Sequence, residues 1–218
     1  MKKSVKLLSL FAMLAGFSTV AAAEGVFVGG SLDLQHAKFK NTLCEADEDC
    51  SNSDGRLGVG FKAGYDFNQF RVYGAYQYNP KAKETDTYTA GYPPVTLTDE
   101  GSWQSHDLTV GADYTPSFTD NFKGLVGGYM GYSRLKVKIK DQYVGFGGKV
   151  IEEHDSTSTN GFVYGLRLGG IYSFNQNNEL EFGVKAEQAK YKKVDYDDWE
   201  FKARTTNYGA FVGYNYKF

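Results

Sequence analysis

Along the closing stretch "YGAFVGYNYKF", residues 208–218, the side chains alternate. Tyr208, Ala210, Val212, Tyr214, Tyr216 and Phe218 fall on one parity, and Gly209, Phe211, Gly213, Asn215 and Lys217 on the other. A period of two is that of a β-strand with two unlike faces. The same alternation recurs upstream, and three short polar breaks test it. At "FNQF", residues 67–70, the apolar face changes from odd positions (Leu57, Val59, Phe61, Ala63, Tyr65, Phe67) to even ones (Phe70, Val72, Tyr76, Tyr78). A two-residue loop at Asn68-Gln69 pairs residues whose numbers sum to 137, so odd meets even and the apolar faces coincide. The break "FTDNF", 118–122, has three loop residues and pairs numbers summing to 240, which preserves parity; Leu108, Val110, Ala112 and Tyr114 then share a face with Phe122, Val126, Met130 and Tyr132. The break "FNQNNEL", 174–180, pairs numbers summing to 352 and again joins even to even.

With "VFVGGSLDL" at 26–34 and the terminal segment, the pattern predicts eight strands. Their connections alternate between tight turns and four long polar loops, at roughly residues 38–55, 79–102, 140–160 and 191–205. An even number of strands with short turns at one end and long loops at the other is the layout of an up-and-down outer-membrane β-barrel, its turns in the periplasm. Phe67, Phe70, Phe118, Phe122, Phe174 and Phe218 gather at the turn end, as an aromatic girdle at a membrane boundary would. The apolar face therefore meets lipid. A soluble sandwich or a ligand-carrying barrel would bury that face instead and leave the girdle without a purpose. The other face is polar and small, as a narrow lumen requires.

The start of the chain places it in the matching compartment. Lys2, Lys3 and Lys6, the apolar run from Leu7 to Phe17, and Val20-Ala21-Ala22-Ala23 compose a secretory signal peptide, residues 1–23, cut between Ala23 and Glu24. The run is too short for a spanning helix. Removing it takes three of the 24 basic residues and none of the 26 acidic ones, so residues 24–218 form one acidic barrel domain. That balance speaks against nucleic acid as a partner. Cys44 and Cys50, in "CEADEDC", are an even pair in an exported chain and are expected to form a disulfide. No metal and no cofactor are expected, since the mixture of thiols and acids there matches no tight zinc spacing.

Charged residues interrupt the small, polar parity. The lumen candidates are Asp33, Lys62, Asp66, Arg71, Asp107, Asp113, Arg167, Glu181, Lys185, Glu187 and Lys217. Register places Asp66 opposite Arg71, and Arg167 opposite Lys185 with Glu187 one diagonal step away. An eight-stranded barrel is just wide enough to be filled by side chains, so an internal salt-bridge packing is expected from Asp66, Arg71, Arg167, Glu181, Lys185 and Glu187. The alternative is a small-conductance channel gated by their re-pairing. The run "RLKVKIK", 134–140, puts Leu135, Val137 and Ile139 on odd positions where the lower strand points even residues outward. Either a bulge lies near Ser133 or this part stands clear of the bilayer, with its lysines as a solvated rim or as contacts to lipopolysaccharide phosphates.

In strand count, loop alternation and terminal segment the chain resembles the eight-stranded outer-membrane barrels of the OmpA transmembrane-domain and OmpX type. Gly213, Tyr216 and Phe218 match that group's carboxy-terminal assembly signal, with Phe211 in place of its usual polar residue. The resemblance implies the barrel-assembly machinery and outer-membrane lipid as partners. With nothing after Phe218, it also implies a barrel-only member without a peptidoglycan-binding domain. It suggests envelope integrity, adhesion or resistance to host defences, with a host or surface ligand at the extracellular loops. Some similar barrels are enzymes that modify lipid A with His and Ser near the rim. Here His36 lies on the lipid-facing parity, His106 sits between Ser105 and Asp107, and His154 lies near Ser156 in a long loop without a rigid support. A nucleophile needs a base held within reach, so no catalytic residue is assigned and a surface role is expected. The glycine-rich "VGFGGKV", 144–150, lacks the Lys-Ser or Lys-Thr of a phosphate loop and reads as a plain loop.

Overall fold

The computed structural model describes residues 25–41, 51–90, 95–144, 150–192, 194–196, 199–201 and 203–218. The signal segment with its Ala23–Glu24 junction, Cys44 and Cys50, and residues 145–149 lie outside the described residues. Among the described residues ten strands occur in chain order: β1 (Gly25–Asn41), β2 (Ser51–Asp66), β3 (Phe70–Ala90), β4 (Val95–Tyr114), β5 (Phe122–Val144), β6 (Val150–Ser173), β7 (Asn178–Tyr191), β8 (Val194–Tyr196), β9 (Trp199–Phe201) and β10 (Ala203–Lys217). Eight close into an antiparallel barrel in the order β1-β10-β7-β6-β5-β4-β3-β2, and β8 pairs with β9 in a separate hairpin. Closure satisfies the backbone groups that an open sheet would leave bare in lipid.

The three hairpin registers follow from their turns. Asp66 faces Arg71, Leu108 faces Tyr132, and Arg167 faces Lys185. The first turn holds Asn68 at φ 70°, a conformation that Asn tolerates better than most residues. Asp66 accepts its N–H at 2.8 Å. In the third turn Asn175 Oδ1 accepts from the amides of Asn177 and Asn178 at 3.0 and 2.9 Å. The outward parity carries an apolar band in which Leu166 is 71% exposed, and Phe67, Phe70, Phe118, Phe174 and Phe218 are all exposed at the turn end. Tyr216 and Phe218 meet edge to face at 5.1 Å.

Two expectations need correction, and one open choice is decided. Much of the supposed loop sequence is strand, because alternation and Thr-rich segments continue the ladders: β3 and β4 pair out to Ala90–Val95, and β5 and β6 out to Val144–Val150. His154 accordingly lies in β6 opposite Lys140 rather than in a loop. No bulge occurs near Ser133, where both flanking registers are continuous. The register shift lies instead in β3 between Asn79 and Ala82, beside Pro80, which has no N–H for a ladder; Ala82 thereby turns inward.

The lumen, finally, is not uniformly polar and small. Beyond the apolar outer band the polarity inverts: Arg134 and Lys140 are exposed outside, while Leu135 is 0% exposed inside. Phe39, Ala82, Trp103, Leu135, Val163, Ala189, Tyr191 and Ala203, with Val137 against them, form one apolar cluster drawn from seven of the eight barrel strands. A wall wetted outside buries its apolar residues inside, whereas a wall in lipid does the reverse. The inversion marks where the barrel leaves the membrane.

Candidate functional site

The interior has two tiers. The lower one, toward the turns, holds five cations (Lys62, Arg71, Arg167, Lys185, Lys217) and five carboxylates (Asp33, Asp66, Asp113, Glu179, Glu181) joined in ion pairs. Arg71, 1% exposed, donates to Asp66 at 2.8 Å and to Glu179 at 2.7 Å. Lys62 reaches Glu181 at 2.5 Å. Arg167 donates to Glu181 at 2.9 Å and also bonds Asp113 through both Nε and Nη2. Lys185 pairs with Asp33 at 3.1 Å, and Lys217 with Asp66 at 3.0 Å. These contacts mostly cross the lumen between strands that are not neighbours, as Lys62–Glu181 does from β2 to β7. Charges so far from water require such pairing.

Of the six residues expected in the network, Asp66, Arg71, Arg167, Glu181 and Lys185 lie in it. Glu187 does not meet Arg167. Its carboxylate accepts from Tyr129 at 2.9 Å and from Asn207 at 2.9 Å. Arg167 and Lys185, directly opposite in register, turn to different acids, because like charges across a strand pair repel. Glu179 was missed within a polar turn, although its odd number in β7 already assigns it inward. Aromatic side chains line the lumen as well: the Arg167 guanidinium lies 4.8 Å from the Tyr73 ring centroid and 5.7 Å from that of Phe211. Phe211 packs with Leu125 and Ile171. Close approach fixes the glycines between these groups. A Cβ on Gly169 would stand 2.0 Å from the Phe182 carbonyl oxygen and 2.8 Å from Gly183 Cα.

Above the network Asp107 accepts from Asn79 at 2.6 Å and from Ser133 at 2.5 Å. A cavity of about 60 Å³ lies between the tiers, room for on the order of two water molecules. The apolar cluster covers it on the loop side. Stacked Phe39 and Trp103, with ring centroids 5.4 Å apart, are part of that cover.

Among the described side chains, those of His36 and His106 are not brought together. His36 packs on Tyr208 at 5.1 Å on the outer surface of β1. His106 Nδ1 lies 2.7 Å from the Tyr76 hydroxyl on the outer surface of β4, whereas the adjacent Ser105 and Asp107 point into the lumen. Gly213 is buried against β1, and Tyr216 and Phe218 face outward.

Comparison with known proteins agrees with the architecture. A search of curated proteins returns no significant match. Among solved structures, Neisserial surface protein A is similar at 17% identity over 89% of this chain and 97% of its own, with a TM-score of 0.50. The attachment invasion locus protein Ail of Yersinia pestis is 17% identical over 89% of this chain and 99% of its own, TM-score 0.47. OprG of Pseudomonas aeruginosa is 15% identical over 90% and 96%, TM-score 0.41. At 17% identity the likeness to Neisserial surface protein A is one of fold. The family model for the outer membrane protein beta-barrel domain matches residues 9–218. The chain belongs to the outer-membrane β-barrel domain family and is a protein of the outer membrane.

Proposed function

We propose that this barrel works at the cell surface, in envelope integrity, adhesion or resistance to host defences, and neither conducts ions through its lumen nor catalyses a reaction. The observation that carries the reading is the apolar cluster across the loop end of the lumen. An ion entering there must leave water before it reaches the paired charges below, which is costly. Meanwhile β3 to β6 continue together past that level as a projecting sheet: from Leu135 to Val144 β5 alone extends roughly 30 Å along its own axis at ~3.4 Å per residue. The wall that leaves the membrane, not the channel, is thus the part available to a ligand.

The test has two arms. Purified protein in planar bilayers is expected to give no steady conductance. Cells displaying it are expected to bind host-cell or matrix surfaces, and to lose that binding when the hairpins spanning residues 83–102 and 136–158 are shortened. Large stable ion steps abolished by Arg167→Ala would favour a channel instead. Changed lipid A acylation that depends on His154 would favour an enzyme.

A further inference from the structure

The upper tier of the lumen is less completely satisfied than the lower one. Its buried inward side chains include Gln35 of β1, Arg56 of β2, Asn79 of β3, Asp107 of β4, Glu187 of β7 and Asn207 of β10. An amide holds each carboxylate: Asn79 Nδ2 donates to Asp107 at 2.6 Å, and Asn207 Nδ2 donates to Glu187 at 2.9 Å. The other ends of those amides are idle. Asn79 Oδ1 and Asn207 Oδ1 have no hydrogen-bond partner, and neither polar atom of Gln35 has one, although the three residues are 0%, 3% and 4% exposed. Arg56, register partner of Gln35, likewise has no partner at Nε or Nη1.

These groups border open space rather than one another. Gly58 makes part of it: a Cβ there would stand 3.0 Å from Asn79 Oδ1 and 3.2 Å from Gln35 Nε2. Asp107 and Glu187 both line the cavity of about 60 Å³ between the tiers. Lys62, Arg167 and Lys185 line it from the lower side, but each already pairs with Glu181, Asp113 or Asp33.

Charge decides what the space lacks. In the lower tier every carboxylate has a cation within ion-pair distance. Among the described contacts neither Asp107 nor Glu187 has one. Arg56 brings a single positive charge to the tier without pairing with either acid, and Asp54, half-buried nearer the mouth, has contacts of its own. Two buried negative charges thus stand against one positive. Water would satisfy the idle amides and the guanidinium, yet it leaves one carboxylate without a counter-charge, which is costly away from solvent. A divalent ion would overshoot the balance.

We infer that the upper tier binds one monovalent metal cation, of the sodium class, held between Asp107 and Glu187. The unpartnered amide oxygens and water complete its shell, an all-oxygen set that suits a hard ion. The ion ties together strands that are not neighbours, directly beneath the apolar cover. It belongs to the interior, so it stands whatever the projecting sheet binds.

The test is reversible urea unfolding of the purified protein in phosphocholine vesicles, with sodium exchanged for N-methylglucamine at constant ionic strength. Raising sodium from ~20 to ~200 mM is expected to lower the unfolding constant by up to roughly tenfold, the signature of one ion bound to the folded state alone. Asp107→Asn, which leaves Glu187 balanced by Arg56, is expected to abolish that dependence. Arg56→Gln leaves two uncompensated carboxylates, so calcium, without effect on wild type, is expected to stabilise this variant. No sodium dependence in wild type would mean that water or a proton fills the chamber and would overturn the inference. Full sodium dependence in Asp107→Asn would place the ion elsewhere and overturn the site. Should Asp107→Asn not fold, as judged by gel mobility before and after boiling, Glu187→Gln makes the same charge change from the opposite wall and must lose the dependence; if neither folds, the wild-type response to sodium decides.

Discussion

Glu181 offers the sharpest test of how the lumen is held together. It is 1% exposed and neutralises Lys62 at 2.5 Å and Arg167 at 2.9 Å, with Asn215 at 3.3 Å. In Glu181→Leu, Arg167 keeps Asp113, but no other carboxylate lies within ion-pair distance of Lys62 among the described contacts. The Phe27 and Tyr73 rings, each 5.7 Å from Nζ, flank it in either case and are worth roughly 2 kcal/mol apiece when desolvated, so they do not replace the lost carboxylate. Leaving a buried partner unpaired costs about 3–5 kcal/mol. Replacing both members by apolar residues of similar volume is often neutral or better. The expected result is therefore non-additive: Glu181→Leu destabilises by about 3–5 kcal/mol, and adding Lys62→Met restores most of the loss. Reversible urea unfolding in phospholipid vesicles, followed by tryptophan fluorescence and by gel mobility, measures both. A single variant within ~1 kcal/mol of wild type, or a double variant no more stable than the single, would refute the account of Glu181 as the group that keeps Lys62 paired.

Three further outcomes are expected. Arg167→Ala alone leaves planar bilayers silent, because the apolar cover remains, whereas Arg167→Ala combined with Trp103→Ala and Leu135→Ala opens a leak; conductance from Arg167→Ala alone would show that the cover does not seal. Gly169→Ala destabilises by roughly 1–3 kcal/mol in the same urea assay, since its Cβ would press on backbone rather than on a movable side chain. Deleting Phe218, exposed at 73%, removes one ring worth ~1.5–3 kcal/mol of burial and so leaves folding of purified chain in detergent largely intact. Its loss is expected to impair insertion in cells much more, as a recognition signal would; normal cellular levels beside failed folding in vitro would reverse that assignment.

How much of this was legible beforehand depended on distance along the chain. The registers of three hairpins could be read because each turn is only two or three residues long, so parity and loop length together leave one pairing. Asp66 opposite Arg71 followed from that arithmetic, and so would Glu179, had the polar turn not masked its parity. The partners of Arg167 did not follow: Glu181 lies four residues along β7 from its register partner Lys185, and Asp113 lies two strands away on β4, so which acid the guanidinium reaches depends on the curvature of the wall and the filling of the lumen. The bulge after Asn79 was equally hidden, although Pro80 signalled that the ladder could not continue unchanged.

The run at 134–140 draws the line between the two sources of information. Its alternation of lysine and aliphatic residues determined that it is a strand with two unlike faces, and local stereochemistry is sufficient for that. Which face is dry depends on the medium surrounding the wall. In the membrane the outer face is apolar and the inside carries charge; past the membrane the same parity has lysines outside and Leu135 in the core. Only closure of the barrel, which fixes how far each strand stands from the girdle of phenylalanines and what lies across the lumen, decided where that exchange takes place. The sequence by itself determined strands, turns and faces, because those depend on neighbours within a few residues. The tertiary structure decided the ion pairs that cross the lumen and the apolar seal above them, because each joins residues that the chain keeps far apart.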